Sequence, residues 1–432
     1  MNPDPPQKPL KFSRRDLAWA CAAGAFSLIS YGWLMILWRD HGVFAQYNIL
    51  YDADPNIRLT SLAHGWGSEG LVHPLFSYLF SIPIRFVVWC LDKFFAVGDV
   101  VLLREAIAAW IAPLMGALKV FVVFLVGRAI GATLLGAGGL CLLAGFSFAS
   151  AIFGALPEHY PLSGVALTLA FAWAIAVSQG RLRDNYLIWF AIAVLVAGIT
   201  LTNCAAVLAL FLSLRVSRGI PIVKAFLATV VLGLAAISFT TGIAALAGKV
   251  TQTNVSTSGM TEFIGSYWRK PSTDELRRYA SALANTVAAP VPAVMSNTLI
   301  EKERAAGRKV VDVQFTFDKT PLDTAGWLRM IVVFALVVGG ALQGLRSPPF
   351  RPIVVAAILV LLFNGVLHSV WGSEWFLYAM HWQPALLFLM AGWQIGKGKR
   401  ASLLLLMAGL ISAIWSSVVI REMLKILEQV AT

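Results

Sequence analysis

Short basic or polar stretches divide the chain into a series of apolar runs of about twenty residues. In a helix that length covers the roughly 30 Å hydrocarbon core of a bilayer, where every backbone N–H and C=O must be paired within its own segment or against protein. A chain built this way folds as a bundle of membrane-crossing helices. Composition agrees: 58% of residues are hydrophobic, 13% are charged and the mean hydropathy is +0.75, far more apolar than a water-exposed domain. The expected fold class is all-α, a polytopic membrane helical bundle of about 10–11 transmembrane helices, with interfacial helices in a long first outer loop.

The net charge of +12 resides largely in short loops between apolar runs. This is the pattern of cytoplasmic loops retaining Arg and Lys, and it excludes nucleic acid as the partner. Cys21, Cys90, Cys141 and Cys204 lie inside apolar runs without CxxC spacing, so they read as packing residues. The polar, basic stretch "MNPDPPQKPLKFSRRD" precedes an apolar run with no small-residue cleavage site, which predicts a retained anchor and a cytoplasmic N-terminus.

The expected order begins with a tail, 1–16, and a first span from Leu17 to Trp38. An outer loop over 39–104 follows, in which "LFSYLFSIPIRFVVWCLDKFF" reads as an interfacial or partly inserted helix because Pro83, Arg85, Asp92 and Lys93 interrupt it. The second span, Glu105 to Val126, comes inward to Arg128, with Lys119 able to snorkel to the same side. The third, Ala132 to Phe153, leads out to "GALPEHYPL", and the fourth returns to "QGRLRDN". Leu187 to Leu214 is a run of 28 residues with Arg at both ends. It is too short for two spans, so it predicts two half-helices meeting near "TLTNC", a backbone irregularity tolerated at membrane depth only where it is buried or lines a cavity. Ala225 to Ala247 then runs outward and completes a core over 17–248. The polar stretch 249–325 reads as a large outer (periplasmic) loop. The C-terminal helices of 326–432 run from Gly326 to Leu345, Ile353 to Trp371, Leu377 to Ile395 and Ser402 to Ile420, placing the C-terminus outside. The sequence has no tandem repeat and no low-complexity tract.

On this map all six histidines fall at outer positions, which puts any chemistry on the outer side. In "YDADPNIRLTSLAHG", Asp54 is suited to cap a helix that starts at Pro55 and to pair with Arg58 one turn on. A cap leaves Asp52 unexplained. A carboxylate held beside a basic residue at a membrane surface can act as a general base, orient a hydroxyl or bind a divalent cation. His73 in "LVHPLF" reads as a turn residue where the chain re-enters the membrane. Glu158, His159 and Tyr160 sit in a loop so short that they should lie close to a membrane-facing cavity. "HSVWGSEWFLYAMHWQP" holds His368, Glu374, Tyr378 and His381 among tryptophans that an interfacial aromatic belt would explain. HExxH, P-loop, GxSxG and zinc-ligand spacings are absent, which removes metalloprotease, ATPase and serine-hydrolase readings. Lys119 is the main charge within a span, a pattern that disfavours an ion-coupled transporter.

An Asp just after the first span, a short helix with Arg, then "HPLF", "LPEHY" after the third span and a late "WGSEWFLYAMHW" together resemble the GT-C superfamily of integral-membrane glycosyltransferases. The chain is similar in element order over its first 220 residues, and more distantly to lipid A aminoarabinose transferases and protein O-mannosyltransferases. The resemblance implies a sugar donor on a polyprenyl phosphate, a lipid, glycan or protein acceptor, and a bacterial inner (plasma) membrane location with membrane lipids as surroundings. It also implies a catalytic acid in the first outer loop, for which Asp54 is the first choice and Asp52 the second. Arg58, Arg269, Lys270 and His381 are candidates to hold the phosphate, and His73, Glu158, His159, Glu374 and Tyr378 to shape the sugar site. No cofactor is required by it, a divalent cation near the paired Asp residues being one option. The alternatives are a transporter or flippase of lipid-linked saccharides and a non-catalytic assembly subunit.

Overall fold

The computed structural model describes residues 12–45, 48–65, 73–96, 98–251, 268–296, 311, 313–320, 323–372, 374–396 and 398–430. Seven of the helices in it are long and apolar enough to cross a membrane. They run over α1 (Arg14–Asp40), the joined pair α4 (Val100–Ala109) and α5 (Ile111–Ala129), α8 (His159–Ser178) and α11 (Ile222–Thr251). The remainder are α13 (Thr324–Leu345), α14 (Arg351–Val370) and α16 (Gly398–Val430). Two more passes are assembled from pieces. The expected third span is α6 (Leu134–Phe146) followed by α7 (Phe148–Phe153), interrupted at Ser147, whose backbone is extended. The other is α15 (Ala379–Ala391) with a 3-10 turn at each end.

Polar contacts sort the helix ends into two faces. On one, Arg128 at the end of α5 bonds Asp16 at the start of α1 at 2.7 Å, and Ser402 at the start of α16 bonds Thr133 at 2.7 Å. Asp16 also closes a capping box with Ser13, so one carboxylate starts α1 and ties it to α5. On the other face lie His41, His64, His73, His159, His368 and His381. If the site face is the outer one, a cysteine at Lys270 should react with an impermeant thiol reagent in intact cells and one at Pro348 only after lysis; labelling of both from one side would overturn the faces.

The run bounded by arginines forms a hairpin of half-helices, α9 (Tyr186–Ile199) and α10 (Cys204–Ser217), joined by a 3-10 turn at Leu201–Asn203. Asp184 before α9 meets Arg215 at 3.1 Å and Arg218 at 2.6 Å at the end of α10, so both ends of the hairpin lie on the basic face. Its tip reaches the site face. There the freed carbonyl of Gly198 accepts the Leu75 N–H at 2.7 Å, which is how irregular backbone at this depth becomes tolerable.

Between α1 and α4, α2 (Pro55–His64) is followed by α3 (Phe76–Phe95), which buries Ser77, Ser81, Ile84 and Val88 at helical spacing. It exposes Ile82, Phe86, Trp89, Phe94 and Phe95.

Four expectations are corrected by the packing. The 249–325 stretch is not simply an outer loop: its helix α12 (Glu275–Val287) dips into the bundle. Tyr279 donates to the Leu361 carbonyl at 2.6 Å halfway along α14, and Ser412 and Trp415 midway along α16 donate to the Val287 and Ala289 carbonyls. The same stretch carries a two-stranded antiparallel sheet, β1 (Ala293–Ser296) with β2 (Val313–Thr316), inside an otherwise helical fold. Lys119 does not snorkel: it is 1% exposed and donates to Ser150 at 2.8 Å and Gln383 at 2.6 Å, both one helix away. Trp375 and Trp382 form no interfacial belt. Both are buried, donating to Glu275 and Thr286 on α12 at 2.9 Å each. Of the cysteines, Cys141 and Cys204 are buried packing residues, and all four thiols are free.

Candidate functional site

The loop before α2 is shaped by three non-glycine residues with left-handed backbone, Asn48, Tyr51 and Asp52. That conformation is costly for residues with a side chain and persists where surrounding structure enforces it. Here β2 does so: Phe315 N–H donates to Ile49 at 2.8 Å and Tyr51 N–H to Phe315 at 3.0 Å. The Asp52 carboxylate accepts from the Gln314 side chain at 2.6 Å. Asp52 thus fastens the first loop to the distant strand β2, a role its neighbours in sequence could not disclose.

Asp54 occupies the N-cap position of α2, but its side chain makes no capping bond, and the expected Asp54–Arg58 pair is replaced. Glu158, which precedes α8, takes both partners: one oxygen accepts the Asp54 N–H at 2.7 Å and the other accepts Arg58 Nε at 3.2 Å. Glu158 is 1% exposed, so this loop residue is a buried carboxylate paired with a half-buried cation. Burial, then the Glu158 charge, pushes the Asp54 carboxyl up to about 6, against the pull of Arg58. The Glu158 carboxyl is itself raised by burial, opposed first by Arg58.

Behind this pair stands a row of imidazoles, each brought by a different element. His73, at the entry to α3, bonds the Ile199 carbonyl of the hairpin tip at 2.8 Å and packs at a tilt against His159 with centroids 3.9 Å apart. His381 of α15 lies 6.2 Å from His159 and 6.3 Å from His368 at the end of α14. Tyr160 packs on His159 and Tyr378 on His368, at 3.9 and 3.8 Å. Burial lowers His73 well below the ordinary imidazole range, helped by His159 and Arg58, so it is neutral. Among the described residues neither ring nitrogen of His381 has a protein partner, nor does His368 Nε2, and buried polar atoms of this kind are completed by ordered water or ligand oxygens.

A second acidic group lies across Asp52. Glu374 begins the 3-10 turn Trp375–Tyr378, accepts a short bond from the Thr316 hydroxyl and is 4% exposed. Thr316 also accepts the Asp318 N–H at 3.1 Å, and Asp318 pairs with Arg278 of α12 at 2.8 Å. Glu374, Asp318 and Arg278 line a polar cavity of about 60 Å³ together with Ser281 and Asn285, room for about two waters. Burial, then Asp318, pushes Glu374 up to about 8. With the native value above the unfolded one, the folded protein holds an extra proton between these values, so its stability falls as pH rises from about 5 through 8. Glu374→Gln should remove most of that slope, worth on the order of a few kcal/mol. Thermal unfolding in detergent at pH 5.5 and 8.5 checks it: parallel losses in both proteins would place the titration elsewhere.

Of the candidates for phosphate binding, Arg58 and His381 join the site. Arg269 is committed to Glu275 at 3.1 Å and the His368 carbonyl at 2.7 Å, bracing the segment before α12 against α14. Lys270 is exposed and outside the buried group. Among the described residues no group of three or more His, Cys, Asp or Glu side chains is placed to hold a metal ion. Residues missed in the sequence are Gln314, Thr316, Asp318, Ser163 and Thr200, which are common polar residues without a spacing signal. Thr200 and Ser163 share a hydrogen bond of 3.1 Å beside His73. No family model and no curated protein matches the chain.

Proposed function

We propose that the protein is an integral-membrane glycosyltransferase of GT-C type. It moves a sugar from a polyprenyl-phosphate donor to a hydroxyl or amine of a lipid, glycan or protein acceptor, on the outer face of a bacterial inner membrane with the N-terminus cytoplasmic. The observation that supports this reading best is the Asp54 carboxylate. It stands half-buried at the site face of a membrane bundle, with no side-chain partner of its own at the helix cap, and titrates near 6, where it is a competent base at neutral pH.

In this mechanism the lipid tail stays in the bilayer and only the phosphosugar reaches the site. Asp54 takes the proton of the acceptor group as its oxygen or nitrogen bonds to the anomeric carbon. The bond from that carbon to the phosphate oxygen breaks, and its electron pair leaves on the polyprenyl phosphate. Arg58 is placed to offset charge beside Asp54, and the imidazoles and tyrosines supply hydrogen-bonding walls suited to sugar hydroxyls.

A transporter of lipid-linked saccharides is the second reading, favoured by two re-entrant elements, the α9–α10 hairpin and α12, since broken helices build many transporter sites. Reconstitution into vesicles with a polyprenyl-phosphate sugar separates the two. Release of polyprenyl phosphate with a new glycosidic bond supports the transferase; movement of intact donor across the bilayer without bond cleavage overturns it.

A further inference from the structure

The geometry points to Glu158 as the positioning residue of the site, a clamp from α8 that fixes where the Asp54 carboxylate stands and balances the charge around it. The inference rests on the reading of Asp54 as the base. An Asp at the N-cap normally bonds its own helix, and here it does not. The anion that meets the start of α2 is supplied from 104 residues away, where one Glu158 oxygen holds the Asp54 N–H and the other holds Arg58 one turn later. Fixing both points of the first turn leaves the Asp54 side chain free for other partners. A carboxylate at a helix N-terminus is favourable for the helix, so the clamp can replace the cap without loss to α2. Glu158 is in turn fixed by its own N–H on the Leu156 carbonyl at 2.8 Å.

The charged groups that act on Asp54 are Asp52 in its own loop, Arg58 on α2 and Glu158 ahead of α8, with neutral His73 behind Arg58. Glu158 disfavours the ionised Asp54 and Arg58 favours it. Removing either member should therefore move the Asp54 titration in opposite directions, which a mere strut would not do.

The test is a pH titration of the full-length protein in detergent by infrared difference spectroscopy, with the Asp54 carboxyl band assigned from Asp54→Asn. Glu158→Gln, which keeps an oxygen for the Asp54 N–H, should lower the Asp54 midpoint by about one pH unit, and Arg58→Met should raise it by about as much. Unmoved midpoints, or shifts in the same direction, overturn the clamp. Should Glu158→Gln fail to assemble, the direction of the Arg58→Met shift decides alone. No substrate is needed, so the opposed shifts together with failure of the vesicle assay would retain the clamp and discard the transferase reading.

Discussion

Asp54→Asn is expected to lower sugar transfer by about 10²–10⁴-fold, the range in which a positioned general base contributes. Asn keeps the size of the side chain and its backbone N–H still reaches Glu158, so insertion and folding should be unchanged. Asp52→Asn should cost far less, because an amide oxygen still accepts from Gln314 and the neighbouring Tyr51 and Phe315 backbone bonds remain. Transfer is measured as product formed from a polyprenyl-phosphate sugar in vesicles, with thermal unfolding as the control for folding. Full activity in both variants would remove the proposed mechanism. A loss confined to Asp52→Asn would move the base to the side of the loop that faces β2 and Glu374.

A large effect on assembly is expected at Gly139, where α6 crosses α16. A Cβ there would stand 2.5 Å from the Leu405 carbon and the Leu406 nitrogen, both backbone atoms that no rotamer change can move. The contact is reciprocal, since a Cβ at Gly409 would lie 2.8 Å from the Gly139 oxygen. Small residues allow such close crossing in membranes, where packing rather than apolar burial drives helix association. Gly139→Val should destabilise the protein by about 3 kcal/mol, the upper end of the usual cost of overpacking. The adjacent Gly138→Ala is the control: its Cβ meets nothing within 4 Å, so its unfolding midpoint should be unchanged or slightly raised. Equal midpoints for Gly139→Val and the native protein would mean that the two helices separate easily.

By itself the sequence determined the membrane bundle and the broken pair of half-helices. These depend on local quantities, the length of apolar runs against the thickness of a bilayer and the charges at their ends. It also marked the residues of greatest chemical interest, since His73, Glu158, His159, Tyr378 and His381 come together around the α2 start that Asp54 and Arg58 occupy. What it could not determine was who holds whom. The Asp54–Arg58 pair was a sound expectation for an isolated helix, where residues one turn apart are neighbours. In the assembled protein a buried Glu158 arrives from α8 and takes both partners, because an anion in that position requires the nearest cation and N–H. Asp52 had no local explanation since its partner, Gln314, is 262 residues away on a strand with no sequence signal of its own. Likewise the polar stretch containing α12 could not show from composition that Tyr279 and Val287 sit deep in the bundle. That placement depends on Tyr279 bonding α14, on Ser412 and Trp415 satisfying carbonyls at and just past its end, and on Thr286 receiving Trp382. Tertiary structure alone brings these groups within reach, and at that depth each hydrogen bond left unmade would carry the full cost of burying a polar group.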